Sequence, residues 1–218
     1  MYSTAFSEKQ AAAKFARINE LNDKFESIFR QNEAARKSKD PKTKAAADCA
    51  RLIMTTGIRP GSEGDTGAAQ KAYGATTLEG KHVVVKDGQV SLQFVGKKGV
   101  SLNIPVRDPG TAKMLVERKA ASGDSKQLFP INEKLLLDHV HSFDGGSFKT
   151  KDFRTLLGTK TAMDEVAKVT QKPADAKSYR KAVMSVAKIV AERLGNTPII
   201  ALQSYISPAA FADWRISA

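Results

Sequence analysis

Two arginines, a lysine and a tyrosine, far apart in the chain, are the residue types from which phosphate chemistry can be built. Arg59 follows a helical segment in Thr56-Gly57-Ile58-Arg59-Pro60-Gly61-Ser62, and Arg154 lies in Lys151-Asp152-Phe153-Arg154-Thr155. A guanidinium stays charged and presents a planar fork of donors, so two of them brought together clamp a phosphate in two charge states. Ser204-Tyr205-Ile206 supplies a hydroxyl nucleophile. Attack on a phosphodiester also needs a proton for the leaving oxygen. A lysine crowded by other cations can deliver one, and the turn Gly96-Lys97-Lys98-Gly99 carries two. No metal centre is expected, because His82, His139 and His141 have no carboxylate or cysteine at ligand spacing. No glycine-rich ATP motif appears either, so no cofactor is expected.

The composition agrees with a polyanionic partner. Of 218 residues, 41% are hydrophobic, enough for one sizeable core or two small ones, and the formal net charge is +12. Such an excess points most often to nucleic acid and less often to an acidic membrane surface. Ribosomal and histone-like proteins share it, so charge alone names no function. The single cysteine, Cys49, lies in an alanine-rich apolar run and reads as a buried thiol in a reducing compartment. The polar start of the chain carries no signal peptide, and no apolar run approaches the roughly 18 residues of a membrane span. A soluble intracellular protein is expected.

The elements that must position these residues are mainly helical. Phe15, Ile18, Leu21, Phe25, Ile28 and Phe29 recur at helical spacing and predict one helix over about Ser7 to Arg36, read as a scaffold covering the core. Asp40-Pro41 caps and starts a second, largely apolar helix through Met54 that Gly57 ends, leaving Arg59 on a loop. From Thr76 to Val106 the period changes. Thr77-Leu78, His82 to Val85, Val90 to Val95 and Val100 to Ile104 alternate with the hairpin turns Lys86-Asp87-Gly88 and Gly96 to Gly99. They predict a three-stranded antiparallel sheet with lysines at one tip. Asp108-Pro109 opens a further helix, and Asn132 caps one carrying Leu136 and Val140. Another helix starts at about Phe148 after the tight turn Gly145-Gly146, and a long one runs from Ala174 to Leu194. Pro198 starts the short helix holding Tyr205, and Ser207-Pro208 starts a last one that packs Phe211 and Trp214. Residues 1–40 read as an N-terminal helical segment and 41–218 as a catalytic domain packed with it as one unit.

Five blocks, in order, resemble the catalytic domain of type IB DNA topoisomerases, those of poxviruses and bacteria especially. They are Leu52 to Glu63, Tyr73-Gly74-Ala75-Thr76-Thr77-Leu78, Phe94 to Val100, Gly146 to Thr155, and Leu194 to Pro198 followed by Ser204 to Pro208. The resemblance implies the helical fold with a small sheet that this family shares with tyrosine recombinases. It also implies relaxation of supercoils by transient cleavage of one strand, without ATP or an obligatory metal. Tyr205 would form a covalent link to a DNA 3′ phosphate, Arg59 and Arg154 would bind its non-bridging oxygens, and Lys97 would protonate the 5′ oxygen. Lys151 would assist from its helix, where recombinases usually have histidine. Tyr73, Lys98, Lys149 and Ser204 would contact double-stranded DNA.

Three departures bear on these expectations. Asn196 stands where the poxvirus enzymes carry a catalytic histidine; asparagine still donates to a phosphate oxygen, so slower catalysis is expected. Lys98 follows Lys97 where many relatives have aspartate, placing two cations side by side, with Lys97 favoured as the acid. Relatives also have an N-terminal β-rich clamp domain that no residues here match, so a separate chain supplies that half, or the enzyme is minimal or cut down. The expected setting is the cytoplasm or nucleoid of a bacterium, or an infected host cell. Tyr179, early in an amphipathic helix, reads as structural. The alternatives are a tyrosine recombinase, which needs multimers and specific sites where a monomer is expected here, and a non-enzymatic DNA-binding protein that has kept the fold. Lys151-x-x-Arg154 argues against the first, and the presence together of Arg59, Lys97, Arg154 and Tyr205 against the second.

Overall fold

Side-chain caps fix where the helices begin. In a computed structural model that describes residues 4–61 and 71–214, Asp40 accepts a 2.8 Å bond from the Thr43 amide and Pro41 occupies the first helical position. Asp108 does the same from Thr111 at 2.7 Å ahead of Pro109, and Asn132 accepts from Leu135 at 2.9 Å. The helices are α1 (Thr4–Ala35), α2 (Pro41–Thr56), α3 (Pro109–Ser122), α4 (Glu133–His141), α5 (Thr150–Ala167), α6 (Ala176–Leu194) and α7 (Pro198–Tyr205). Ser62 and Glu63, at the end of the first arginine block, lie outside the described residues.

The three strands β1 (Val83–Lys86), β2 (Gln89–Val95) and β3 (Ser101–Pro105) form an antiparallel sheet in sequence order. Lys86 pairs with Gln89 across a turn in which Asp87 and Gly88 have φ of 49° and 74°, as a two-residue hairpin requires. Leu92 pairs with Ile104, and Val90, Leu92, Phe94 and Ile104 turn one face of the sheet into the core. The protein is thus mainly helical with a small antiparallel sheet.

Four local expectations change. Thr77-Leu78 is not a strand of the sheet: Ala75–Thr77 form a 3-10 turn, and the Leu78 carbonyl accepts from the Leu128 amide. His82 ends a second 3-10 turn, where its Nδ1 accepts from the Glu79 amide at 2.9 Å, and β1 begins one residue later. The helix expected from Phe148 begins at Thr150, because the Phe148 amide is held by Asp144 while Asp152 accepts from the Lys149 amide. The final segment, Pro208–Trp214, is 3-10 rather than α-helical, though Phe211 and Trp214 pack as expected.

The apolar residues divide into two clusters. The larger takes α1, α2, the sheet, α3, α4 and the start of α5. The smaller takes the end of α5 with α6, α7 and the last 3-10 segment. Tyr179 packs on the smaller, and Cys49 is fully buried in the larger, where burial pushes its thiol up. Among the described residues no helix is long and apolar enough to cross a membrane.

Candidate active site

A cleft lies where the two clusters meet. Ile58, Arg59, Tyr73, Phe94, Gly96, Lys97, Leu102, Ile104, Arg154, Leu194 and Gly195 line it. Each polar member arrives from a different element. Arg59 lies just past the end of α2, on a segment held by two backbone bonds, Ala75 N to the Arg59 carbonyl and Thr76 N to the Pro60 carbonyl, both 2.8 Å. These bonds explain why the Tyr73 to Leu78 block accompanies the arginine: it is the strut that fixes the arginine's loop. Lys97 stands exposed at the β2–β3 tip, where Lys98 and Gly99 adopt φ of 66° and 73°.

Arg154 is deeply buried on α5 and joins the ends of two other helices. Its Nη1 donates to the carbonyl of Gly57, which closes α2 at φ 67°, and its Nη2 donates at 2.5 Å to the carbonyl of Leu194, the last residue of α6. Helix C-termini carry partial negative charge, so both ends favour a cation. Arg154 is therefore an anchored donor rather than a free fork, because each terminal nitrogen already commits one hydrogen to a carbonyl. Its Nε is buried with no partner among the described residues.

Tyr205 faces both arginines. The guanidinium carbon of Arg154 lies 4.8 Å from its ring centroid and that of Arg59 6.0 Å. Burial pulls the Arg154 guanidinium down to about 10, the Tyr205 phenol pulls it back up, and the charge of Arg59 depresses it further. Such a cation is short of counter-charge, and an anion arriving in the cleft would supply it. Asn196 lies beside them, its Oδ1 accepting from Arg59 Nη2 at 3.4 Å while its Nδ2 is buried without a partner among the described residues. With its carbonyl turned to Arg59, the amide N–H groups are left free to donate.

The structure thus brings Arg59, Arg154, Asn196 and Tyr205 together and places Lys97 on the wall of the same cleft. Tyr73 also lines it, its ring 4.2 Å from His82 with Lys71 Nζ 4.9 Å away. Lys98 and Lys149 are exposed, and Ser204 is half-buried. Lys151 does not line the cleft. It is exposed on the first turn of α5, close enough to Lys14 for its charge to help lower that lysine's pKa below the usual value, after burial.

Several positioning residues were not legible in the sequence. Gly158 lets α7 lie against α5, since a Cβ there would meet the Tyr205 carbonyl at 2.7 Å. Thr159 then holds that carbonyl at 3.2 Å and accepts from the Ser207 amide at 3.1 Å. From α1, Arg17 grips the buried Asp152 with two bonds of 2.8 and 3.0 Å, and Lys14 donates to the Ser204 carbonyl at 2.8 Å. The only sequence signal for the α1 pair was two basic residues one turn apart beside an apolar stripe, which ordinary solvated lysines and arginines share.

A family model for the catalytic core of eukaryotic DNA topoisomerase I matches residues 3–208 of this chain. The chain is also similar to the DNA topoisomerase 1B of Acanthamoeba polyphaga mimivirus, 27% identical over 150 residues. That match covers 62% of this chain but 45% of the viral protein, so the chain spans less than half of that relative.

Proposed function

This chain belongs to the family of the eukaryotic DNA topoisomerase I catalytic core, and from that premise we propose that it relaxes supercoiled DNA by breaking and rejoining one strand through Tyr205. The observation that carries the reading is the placement of the Tyr205 ring against two guanidiniums, with the Arg154 Nε and the Asn196 Nδ2 buried beside it and unpartnered among the described residues.

The Tyr205 oxygen attacks a backbone phosphorus, forming a phosphotyrosyl bond at the 3′ end while the bond to the 5′ oxygen breaks. The phenolic proton leaves to solvent, and the departing 5′ oxygen takes a proton from Lys97. Negative charge grows on the non-bridging oxygens during the step. Donors already in place meet it at no cost of reorganisation, and this is where enzymes gain most. Arg59 and Arg154 supply those donors, and Asn196 adds a neutral one in place of histidine. The freed 5′ end then swivels and its hydroxyl attacks the phosphotyrosine, resealing the strand. The bond energy is kept throughout, so no ATP is consumed, and the positive charge comes from side chains, so no metal ion is called for. Tyr73, Lys98, Lys149 and Ser204 contact DNA. Affinity rests on phosphate contacts and falls with salt.

Plasmid relaxation without ATP and with EDTA tests this directly. The wild type is expected to relax the plasmid, and Tyr205→Phe to bind it with activity lower by about 10⁴-fold or more. Wild-type protein that binds plasmid and leaves it supercoiled would instead make this a DNA-binding member of the family.

A further inference from the structure

Tyr205 closes α7, a helix of eight residues whose last carbonyls have no partner within the helix. Two of them are bound from outside. Thr159 on α5 takes the Tyr205 carbonyl, and Lys14 on α1 takes the Ser204 carbonyl across 190 residues of sequence. We propose that Lys14 is a positioning residue for the nucleophile, holding the C-terminal end of α7 so that the Tyr205 hydroxyl is presented to the arginine pair. The proposal rests on reading Tyr205 as the nucleophile.

Lys14 is placed where a lysine would not otherwise stay. Its side chain is half-buried, with the ammonium 4.3 Å from the Phe15 ring. Burial disfavours its charge most, and nearby Lys151 and then Arg17 add to that, with Asp152 acting the other way. An ordinary surface lysine would swing into water under these conditions. What holds it is a carbonyl at the negative end of a helix, where a cation is favoured. One turn further along α1, Arg17 binds Asp152, the residue that caps the start of α5. A single face of α1 therefore grips both the helix that carries Arg154 and the helix that carries Tyr205. Losing the Lys14 bond leaves the Ser204 carbonyl to water and α7 held at one carbonyl instead of two. A misplacement of about 1 Å in a reacting group can cost on the order of 100-fold in rate.

The test is the rate of covalent adduct formation in a single turnover at saturating DNA, using a nicked duplex that traps the cleaved strand. Lys14→Met keeps the packing of the stem and removes the donor. It is expected to slow adduct formation about 10- to 100-fold with DNA affinity within about 2-fold of wild type. Lys14→Arg can still donate to the carbonyl and is expected to recover most of the rate. Should Lys14→Met fail to fold, as judged by its melting curve, Lys14→Leu, which also lacks a donor, replaces it, and Lys14→Arg is compared with that. An unchanged rate in the donor-less variant overturns the proposal. So does a defect that saturating DNA removes, which would make Lys14 a phosphate contact, or a Lys14→Arg as slow as the donor-less variant. Wild-type protein that forms no adduct at all overturns the nucleophile reading instead, and that result is seen before any Lys14 variant is compared.

Discussion

The junction of α1, α2 and α3 and the cleft between the two clusters are both rich in buried charge, and they treat it in opposite ways. At the junction, Asp48 accepts from Arg36 at 2.6 Å and from Arg118 at 2.7 and 2.9 Å. Arg51 reaches Asp108 at 2.7 Å and faces Glu33 at 2.5 Å, the latter an ion-pair contact without hydrogen-bond alignment. Arginine meets carboxylate throughout. In the cleft, Arg59 and Arg154 have no carboxylate partner among the described residues, and Arg154 is tied down only by neutral carbonyls. A buried charge without a partner is costly, so the cleft gives up stability that the junction keeps. On the proposed reading, the junction's charges are structural and those of the cleft are held ready for an anion from outside.

The largest effect expected on the cleft side comes from Arg154→Lys. Lysine keeps the charge but cannot bond two carbonyls while also offering Nε, so relaxation should fall about 10³-fold. Activity close to wild type would mean that a point charge suffices and would remove the distinction drawn for this residue. On the junction side, Asp48→Ala leaves Arg118 without its carboxylate and Arg36 with Glu33 alone, and should lower unfolding stability by about 3 kcal/mol in a urea titration. The side chains of Arg36 and Arg118 are 20% and 18% exposed, so some of the cost is met by water. The same variant should keep its cleavage rate per folded molecule; a parallel loss would show the two regions to be coupled.

The smallest effect concerns two neutral members of the packed scaffold. Burial lowers the pKa of His82 and of His139 below the usual 6.5. His139 Nε2 is 2.9 Å from the Oδ1 of Asn32, which is buried. Below pH 6.5 the unfolded chain binds protons that the folded one refuses, so stability is lost as pH falls from 6.5 towards the depressed values. The slope is at most about 1.4 kcal/mol per pH unit for each histidine. Melting temperatures measured from pH 7 to 5 should drop along this course, and His139→Gln should flatten the drop. A flat wild-type profile would mean that neither ring is kept neutral.

Much of the scaffold was readable because it is written in local chemistry. Asp40-Pro41, Asp108-Pro109, Asn132, Gly57 and Gly195 mark helix ends through bonds within a few residues, and those ends lie where the sequence places them. The Asp87-Gly88 turn fixes the β1–β2 register in the same way. Within the site, Arg59, Arg154, Asn196 and Tyr205 are brought together, and Lys97 lines the same cleft. What escaped was long-range and polar. α1 reads as a scaffold because its apolar stripe is periodic, yet Lys14 and Arg17 on the same helix reach residues 190 and 135 positions away. Nothing in a lysine's neighbours along the chain says which carbonyl it will meet. The start of α5 lies two residues beyond Phe148 for a local reason: Phe148 fits the helical pattern, but Asp144, four residues before it, holds its amide in the preceding turn.

The central claim is that Tyr205 is the group that takes the DNA strand. It is tested most directly by incubating the protein with a nicked duplex labelled at one strand end, digesting the trapped complex, and mapping the modified peptide. A 3′-phosphate linked to Tyr205, absent from Tyr205→Phe and formed in EDTA without ATP, is the predicted result. An adduct on another residue, or at a 5′ phosphate, or none in wild-type protein that still binds the duplex, would contradict it.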